Sequence, residues 1–176
     1  MISFSELEDD LNMWRCYANS GLGVAIAFDK VEIEEALTDI RFNLDAKLEE
    51  CQYVSEEYLI NKLKTENVSD IIKDENLIPL SRLMSKQLIY KHNSFSAEKE
   101  WRVLLNDVFP QLRYSNNKII PYKEIRIPTK AITSIIFGPK CDFEKLNFST
   151  YQLLKSKIKL EELNTIKLEK STVPLI

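Results

Sequence analysis

Phe95-Ser96-Ala97-Glu98-Lys99-Glu100-Trp101-Arg102-Val103-Leu104-Leu105 decides how the chain is read, because three acidic or basic side chains and an indole head a run apolar enough to be a core strand. In an extended segment alternate side chains share a face. Glu98, Glu100 and Arg102 are therefore expected to point one way, and Lys99, Trp101 and Val103 the other. Two carboxylates beside one guanidinium on a partly buried face repel each other and attract the cation, which drives their pKa values apart. A general acid, a general base or a ribose-orienting carboxylate is made in this way. The same residues also make a purely structural ion pair, and spacing alone does not separate the two readings.

Upstream of this stretch, Met1–Phe4 reads as a short strand. Ser5 with Glu8 three residues on forms a capping box, and Leu7, Leu11, Trp14 and Ala18 recur at helical spacing. The spacing predicts a helix ended by Asn19-Ser20-Gly21, with Trp14 in its apolar stripe, Arg15 beside the stripe and Tyr17 elsewhere on the cylinder. Gly23–Phe28 is a continuous apolar run expected to be a fully buried central strand, and Asp29 with Glu32 opens a helix through about Leu37. Ile40 and Phe42 alternate as in a brief strand, after which Asp45–Cys51, Ser55–Glu66 and Leu77–Tyr90 read as amphipathic helices.

Downstream, Leu112–Tyr114 and Ile119–Ile127 flank Ser115-Asn116-Asn117-Lys118, where paired asparagines suit the positive φ of a tight hairpin carrying Arg113 and Arg126. Ala131–Phe137 is a second buried strand stopped by Gly138-Pro139. A helix over about Asp142–Lys155 and a strand over Leu163–Leu168 complete the chain. The sum is one α+β domain over residues 1–176, a mixed, largely antiparallel sheet with helices inserted mainly between its second and fourth strands.

Composition narrows the chemistry. A chain of 176 residues, 44% hydrophobic and 29% charged, has the make-up of a globular domain. Its net charge of -3 hides an asymmetry: residues 1–60 hold 14 acids against 4 bases, and residues 111–176 hold 6 against 12. A basic last third can meet a phosphate-bearing ligand, yet the lysines are scattered along the sequence, which favours a solvated surface. Cys16, Cys51 and Cys141 lie far apart without a C-x-x-C spacing, as expected of reduced thiols in a cytoplasmic protein. His92 is the single histidine, so no multi-histidine metal site is expected, and no apolar run approaches the length of a membrane helix. With three glycines only, at Gly21, Gly23 and Gly138, neither G-x-G-x-x-G nor a Walker-type phosphate loop can be written.

Ser3-Phe4-Ser5, Asp9-Asp10-Leu11, Trp14-Arg15, Tyr17-Ala18, Gly21, Gly23-Val24-Ala25-Ile26 and Phe28-Asp29 follow in order. Lys91, Phe95, Glu98-Lys99-Glu100-Trp101-Arg102, Pro121-Tyr122, Gly138-Pro139 and Ser171-Thr172-Val173-Pro174 come after them. Together they resemble the bacterial family Domain of Unknown Function 2971. Its members commonly carry a preceding stretch with a K-Y-R strand and an F-N-D-P segment, so the chain is expected to lack an N-terminal portion of the family domain. Ile176 also stands where the family often has arginine.

The family's layout is similar to that of ADP-ribosyltransferases. That likeness implies NAD as substrate and a protein or nucleic-acid acceptor, and the lone His92 and scattered cysteines add the expectation of no metal. It also implies Glu100 as catalytic carboxylate, Glu98 as the residue positioning the acceptor, and Arg15 or Arg102 as the pyrophosphate contact, with Trp14, Tyr17 and Ser5 as further candidate ligand-binding residues. The alternative is a non-enzymatic interaction module in which Arg15 or Arg102 pairs with Glu98 or Glu100 as a polar core. An unpaired first strand is expected to favour a homo-oligomer through its edge.

Overall fold

The central stretch becomes a strand that begins at Glu100 rather than Glu98. The computed structural model describes residues 2–38, 46–65, 88–105 and 111–174. In chain order the elements are β1 (Ile2–Ser5), α1 (Leu11–Tyr17), β2 (Val24–Phe28), α2 (Lys30–Thr38), β3 (Ala46–Glu50), β4 (Gln52–Val54), α3 (Glu56–Thr65), β5 (Tyr90–His92) and β6 (Glu100–Leu105). They are followed by β7 (Gln111–Ser115), β8 (Lys118–Tyr122), β9 (Ile132–Phe137), α4 (Phe143–Lys155), α5 (Leu160–Leu163) and β10 (Lys167–Lys170). The architecture is α+β with most strand pairings antiparallel, as expected. Instead of one sheet, however, the described residues form four small ones. They divide into two compact units, one made of Met1–Glu6 and Leu37–Arg126, the other of Leu7–Ala36 and Ile127–Ile176.

In the first unit β6 is the middle strand of the order β1-β6-β3, antiparallel to both neighbours. Its apolar half explains the position: Val103 and Leu104 are almost completely buried. The register sets Ser3 opposite Arg102, Ser5 opposite Glu100, and Glu49 opposite Arg102. The expected helix over Asp45–Cys51 is thus a strand where it is described, because pairing with β6 overrides the helix preference of Ala, Lys, Leu and Glu. The same unit holds the parallel pair β4-β5 and the antiparallel hairpin β7-β8. The hairpin turns as predicted, with Asn116 at φ 51 and Asn117 at φ 59. Its second strand ends at Tyr122, so Arg113 is on the hairpin and Arg126 is not. The Arg113 guanidinium instead stands over the Tyr122 ring, 5.5 Å from its centroid.

In the second unit β9 is central, parallel to β10 and antiparallel to β2. Ile135, Phe137, Cys141 and Ile166 form its core, with Phe143, Leu146 and Leu154 of α4 packed against them. The Phe137 and Phe143 rings meet edge to face at 5.6 Å. Gly138 is fixed by a close approach: a Cβ there would lie 2.4 Å from the Gly21 carbonyl oxygen, while Gly21 itself takes φ +90. The expectation of a fully buried central strand at Gly23–Phe28 is corrected here. β2 is an end strand of its sheet among the described residues, and Val24 and Ile26 are about half exposed.

Two boundaries also move. Asp10, not Ser5, caps α1, accepting the N–H groups of Asn12 and Met13 at 2.9 and 3.1 Å. The last strand runs Lys167–Lys170 rather than from Leu163, which closes the short α5 instead. Asp29 caps α2 as read from the sequence, accepting from the N–H of Glu32, and Asp142 caps α4, accepting from the N–H of Lys145. The brief strand at Ile40 and Phe42 and most of the helix expected over Leu77–Tyr90 fall outside the described residues.

Candidate functional site

Between β5 and β6 the chain makes a 3-10 turn over Asn93–Glu98, and Lys99 at φ 43 swings it into the strand. Glu98 therefore does not share a strand face with Glu100 by alternation. A side chain from another strand brings the two carboxylates together. Lys91, on β5, donates from Nζ to Glu98 Oε2 at 2.6 Å and to Glu100 Oε2 at 2.7 Å. The same ammonium stands 5.0 Å from the centroid of the Phe95 ring.

Arg102 completes the group, two positions along β6 and on the same face as Glu100. It donates from Nε to Glu100 Oε1 at 2.8 Å and from a terminal nitrogen to Oε2 at 3.0 Å, a bidentate fork. The other terminal nitrogen donates to the Leu88 carbonyl oxygen. The Ser3 side chain, across on β1, also bonds the carboxylate. The backbone of Glu100 is held as firmly: its N–H donates to the Tyr53 hydroxyl at 2.7 Å and its carbonyl accepts the Cys51 N–H at 2.9 Å. Ser5 contributes through its hydroxyl, which donates to the Glu98 carbonyl oxygen at 2.7 Å. On the other face of β6, the Trp101 indole N–H donates to Glu6 at 2.8 Å.

The electrostatics follow from these contacts. The Glu100 side chain is 8% exposed. Burial alone would raise its carboxyl pKa, but hydrogen bonds from Arg102, Lys91 and Ser3, together with the Arg102 charge, outweigh burial and hold it at about 2. For Lys91 burial disfavours the charged form, and the bonds to Glu100 and Glu98 overcome this and push the ammonium's pKa up. Arg102 is likewise raised, chiefly by its bond to Glu100. Burial pushes the neighbouring Cys51 thiol up as well, against the lowering effect of Arg102. Two acids and two cations thus form a neutral, hydrogen-bonded quartet.

The remaining candidates lie in the second unit. Arg15 and Tyr17 are exposed on α1, while Trp14 is buried at 3% exposure, its indole N–H donating to Asp9 at 2.6 Å. Asp9 is a second carboxylate centre that sequence reasoning did not assign. It also accepts the Ser171 hydroxyl at 2.6 Å, the Thr172 N–H at 2.7 Å and the Thr172 hydroxyl at 2.9 Å. Burial would raise the Asp9 carboxyl, but these neutral donors more than offset it and leave its pKa lowered. Among the described residues, no group of three or more His, Cys, Asp and Glu side chains is placed to hold a metal ion. No helix among them is long and apolar enough to cross a membrane.

The sequence model of the family described as Protein of unknown function (DUF2971) matches residues 13–103, a span that includes Trp14 and the quartet's Lys91, Glu98, Glu100 and Arg102. No curated protein matches the chain, and no solved structure does.

Proposed function

The chain belongs to the DUF2971 family, and we propose that it works as a non-enzymatic interaction module in which the E-x-E-W-R strand is an ion-paired structural core. One observation carries this reading: both oxygens of Glu100 are occupied by guanidinium and ammonium donors at 2.7–3.0 Å, in a side chain that is 8% exposed. A carboxylate with a pKa of about 2 is too weak a base to remove a proton near neutral pH. Its charge is also already balanced by Lys91 and Arg102, so little of its field is left to stabilise an oxocarbenium-like centre. To touch a ribose, Glu100 would have to give up contacts that breaking a buried ion pair makes costly, roughly 3–5 kcal/mol.

The rival reading is an NAD-using, ADP-ribosyltransferase-like enzyme with Glu100 catalytic, Glu98 positioning the acceptor and Arg15 or Arg102 on the pyrophosphate. The two part on one experiment. Incubated with NAD and candidate protein or nucleic-acid acceptors, the protein is expected to release no nicotinamide, and Glu100→Gln is expected to lower the unfolding midpoint. Nicotinamide release that disappears in a folded Glu100→Gln variant would establish the enzyme instead. A homo-oligomer through the outer edge of β1, the end strand of its sheet among the described residues, is a further part of this proposal. A monomer in sedimentation at high concentration would remove it.

A further inference from the structure

The solvent face of α4 has an unusual composition. Its inner face is the apolar one, with Phe143, Leu146 and Leu154 against the β9 core. The outer face should then be polar throughout. Instead, residues 145, 148, 151, 152 and 155 recur at three- and four-residue spacing to make one outward stripe of Lys145, Phe148, Tyr151, Gln152 and Lys155. Phe148 is 67% exposed and Tyr151 38% exposed. Lys145 and Lys155 are exposed at either end of the stripe, and Glu144, four residues before Phe148, adds one acid to it.

Two aromatic rings a single helical turn apart, bracketed by ammonium groups about 15 Å apart along the axis, match a ligand that is anionic along its length and carries planar faces. A strand of unpaired nucleotides has both features: its phosphates attract lysine, and every base offers a π-face to an aromatic ring. A lipid surface would ask for a continuous apolar stripe, whereas here polar and aromatic positions interleave. Two of the lysines that look scattered along the sequence, Lys145 and Lys155, are set by the helix on the same face as the rings.

We propose that this face of α4 binds single-stranded nucleic acid, with Lys145 and Lys155 on phosphates and Phe148 and Tyr151 stacking on bases. The proposal goes beyond the reading of the chain as a binding module and uses a different surface, so the two fail separately: NAD turnover would end the first without touching the second. The test is fluorescence anisotropy of a labelled oligo(dT) or oligo(U) strand, within the roughly 4–16 nucleotides such sites cover, titrated with the full chain at several salt concentrations.

Saturable binding is expected. Phe148→Ala and Tyr151→Ala should each weaken it roughly 5- to 100-fold, and Phe148→Ala should do so with the unfolding midpoint unchanged, since that ring is 67% exposed. Lys145→Gln and Lys155→Gln should each reduce the slope of log affinity against log salt by about 0.7. The proposal is overturned if no saturable binding occurs at low salt, or if the ring variants bind as tightly as the parent. It is also overturned if poly-glutamate or vesicles rich in anionic lipid bind the parent with equal affinity, which would reduce the stripe to a charge effect or a membrane contact.

Discussion

Two buried or half-buried carboxylates, Glu100 in one unit and Asp9 in the other, are both held below their ordinary pKa, yet by opposite means. Glu100 is met by two cations and sits deep, whereas Asp9 is met only by neutral donors from Trp14, Ser171 and Thr172. The difference is one of compensation. An ion sunk behind the backbone of a central strand needs opposite charge to offset its lost hydration. A carboxylate nearer the surface keeps some water and is satisfied by hydroxyl, indole and amide N–H groups. Both arrangements tie distant parts of a unit together: Lys91 brings β5 to β6, and Asp9 joins the start of α1 to the residues after β10. Neither resembles a group held ready for a substrate, because each oxygen already has a partner.

Removing each acid in turn should separate the two. Glu100→Ala leaves Arg102 without its main partner and Lys91 with Glu98 alone. The expected loss is about 3–5 kcal/mol in urea unfolding, the largest effect in the protein outside its apolar cores. Asp9→Ala strands neutral donors, some of which water can reach, and should cost about 1–3 kcal/mol by the same measurement. Equal losses would erase the distinction, and a larger loss at Asp9 would reverse it. The smallest effect is that of salt. Near 1 M the screening length is about 3 Å, so the cost of Glu100→Ala should shrink slightly and that of Asp9→Ala not at all. A marked salt dependence at Asp9 would mean that charged groups hold it.

Much of the architecture could be read from short-range signals. The apolar run Trp101–Leu105, the Asn116-Asn117 turn and the Asp29 and Asp142 caps each depend on neighbours within a few residues, and each is where local chemistry put it. Two of the differences share one cause, which is that pairing partners far along the chain decided the outcome. Ala46–Glu50 is made of helix-forming residues and is a strand because β6 runs beside it. Ser5 and Glu8 spell a capping box, but Ser5 is drawn into β1 and Asp10 caps the helix. Alternation was carried two residues too far back along β6, because nothing in the sequence marks Lys99, a non-glycine residue, for positive φ.

At the site, the Glu100–Arg102 pair was visible from its spacing of two. Lys91 was visible only as part of a motif, without a role, because nothing local points an ammonium on β5 at a carboxylate on β6. Asp9 and Ser171, 162 positions apart, had no local signal at all.

The most direct test of the account is the titration of Glu100 itself, followed by the 13C shift of its side-chain carboxyl across acidic pH. The expected midpoint is about 2, below the ordinary 4.5, and unmoved by added NAD. Because the folded value is depressed, the stability that Glu100 contributes is complete above about pH 4.5 and is lost as the pH falls toward 2. A midpoint at or above 4.5, or one that shifts when NAD is added, would mean a carboxylate free to act on a ligand and would contradict the reading of the quartet as a structural core.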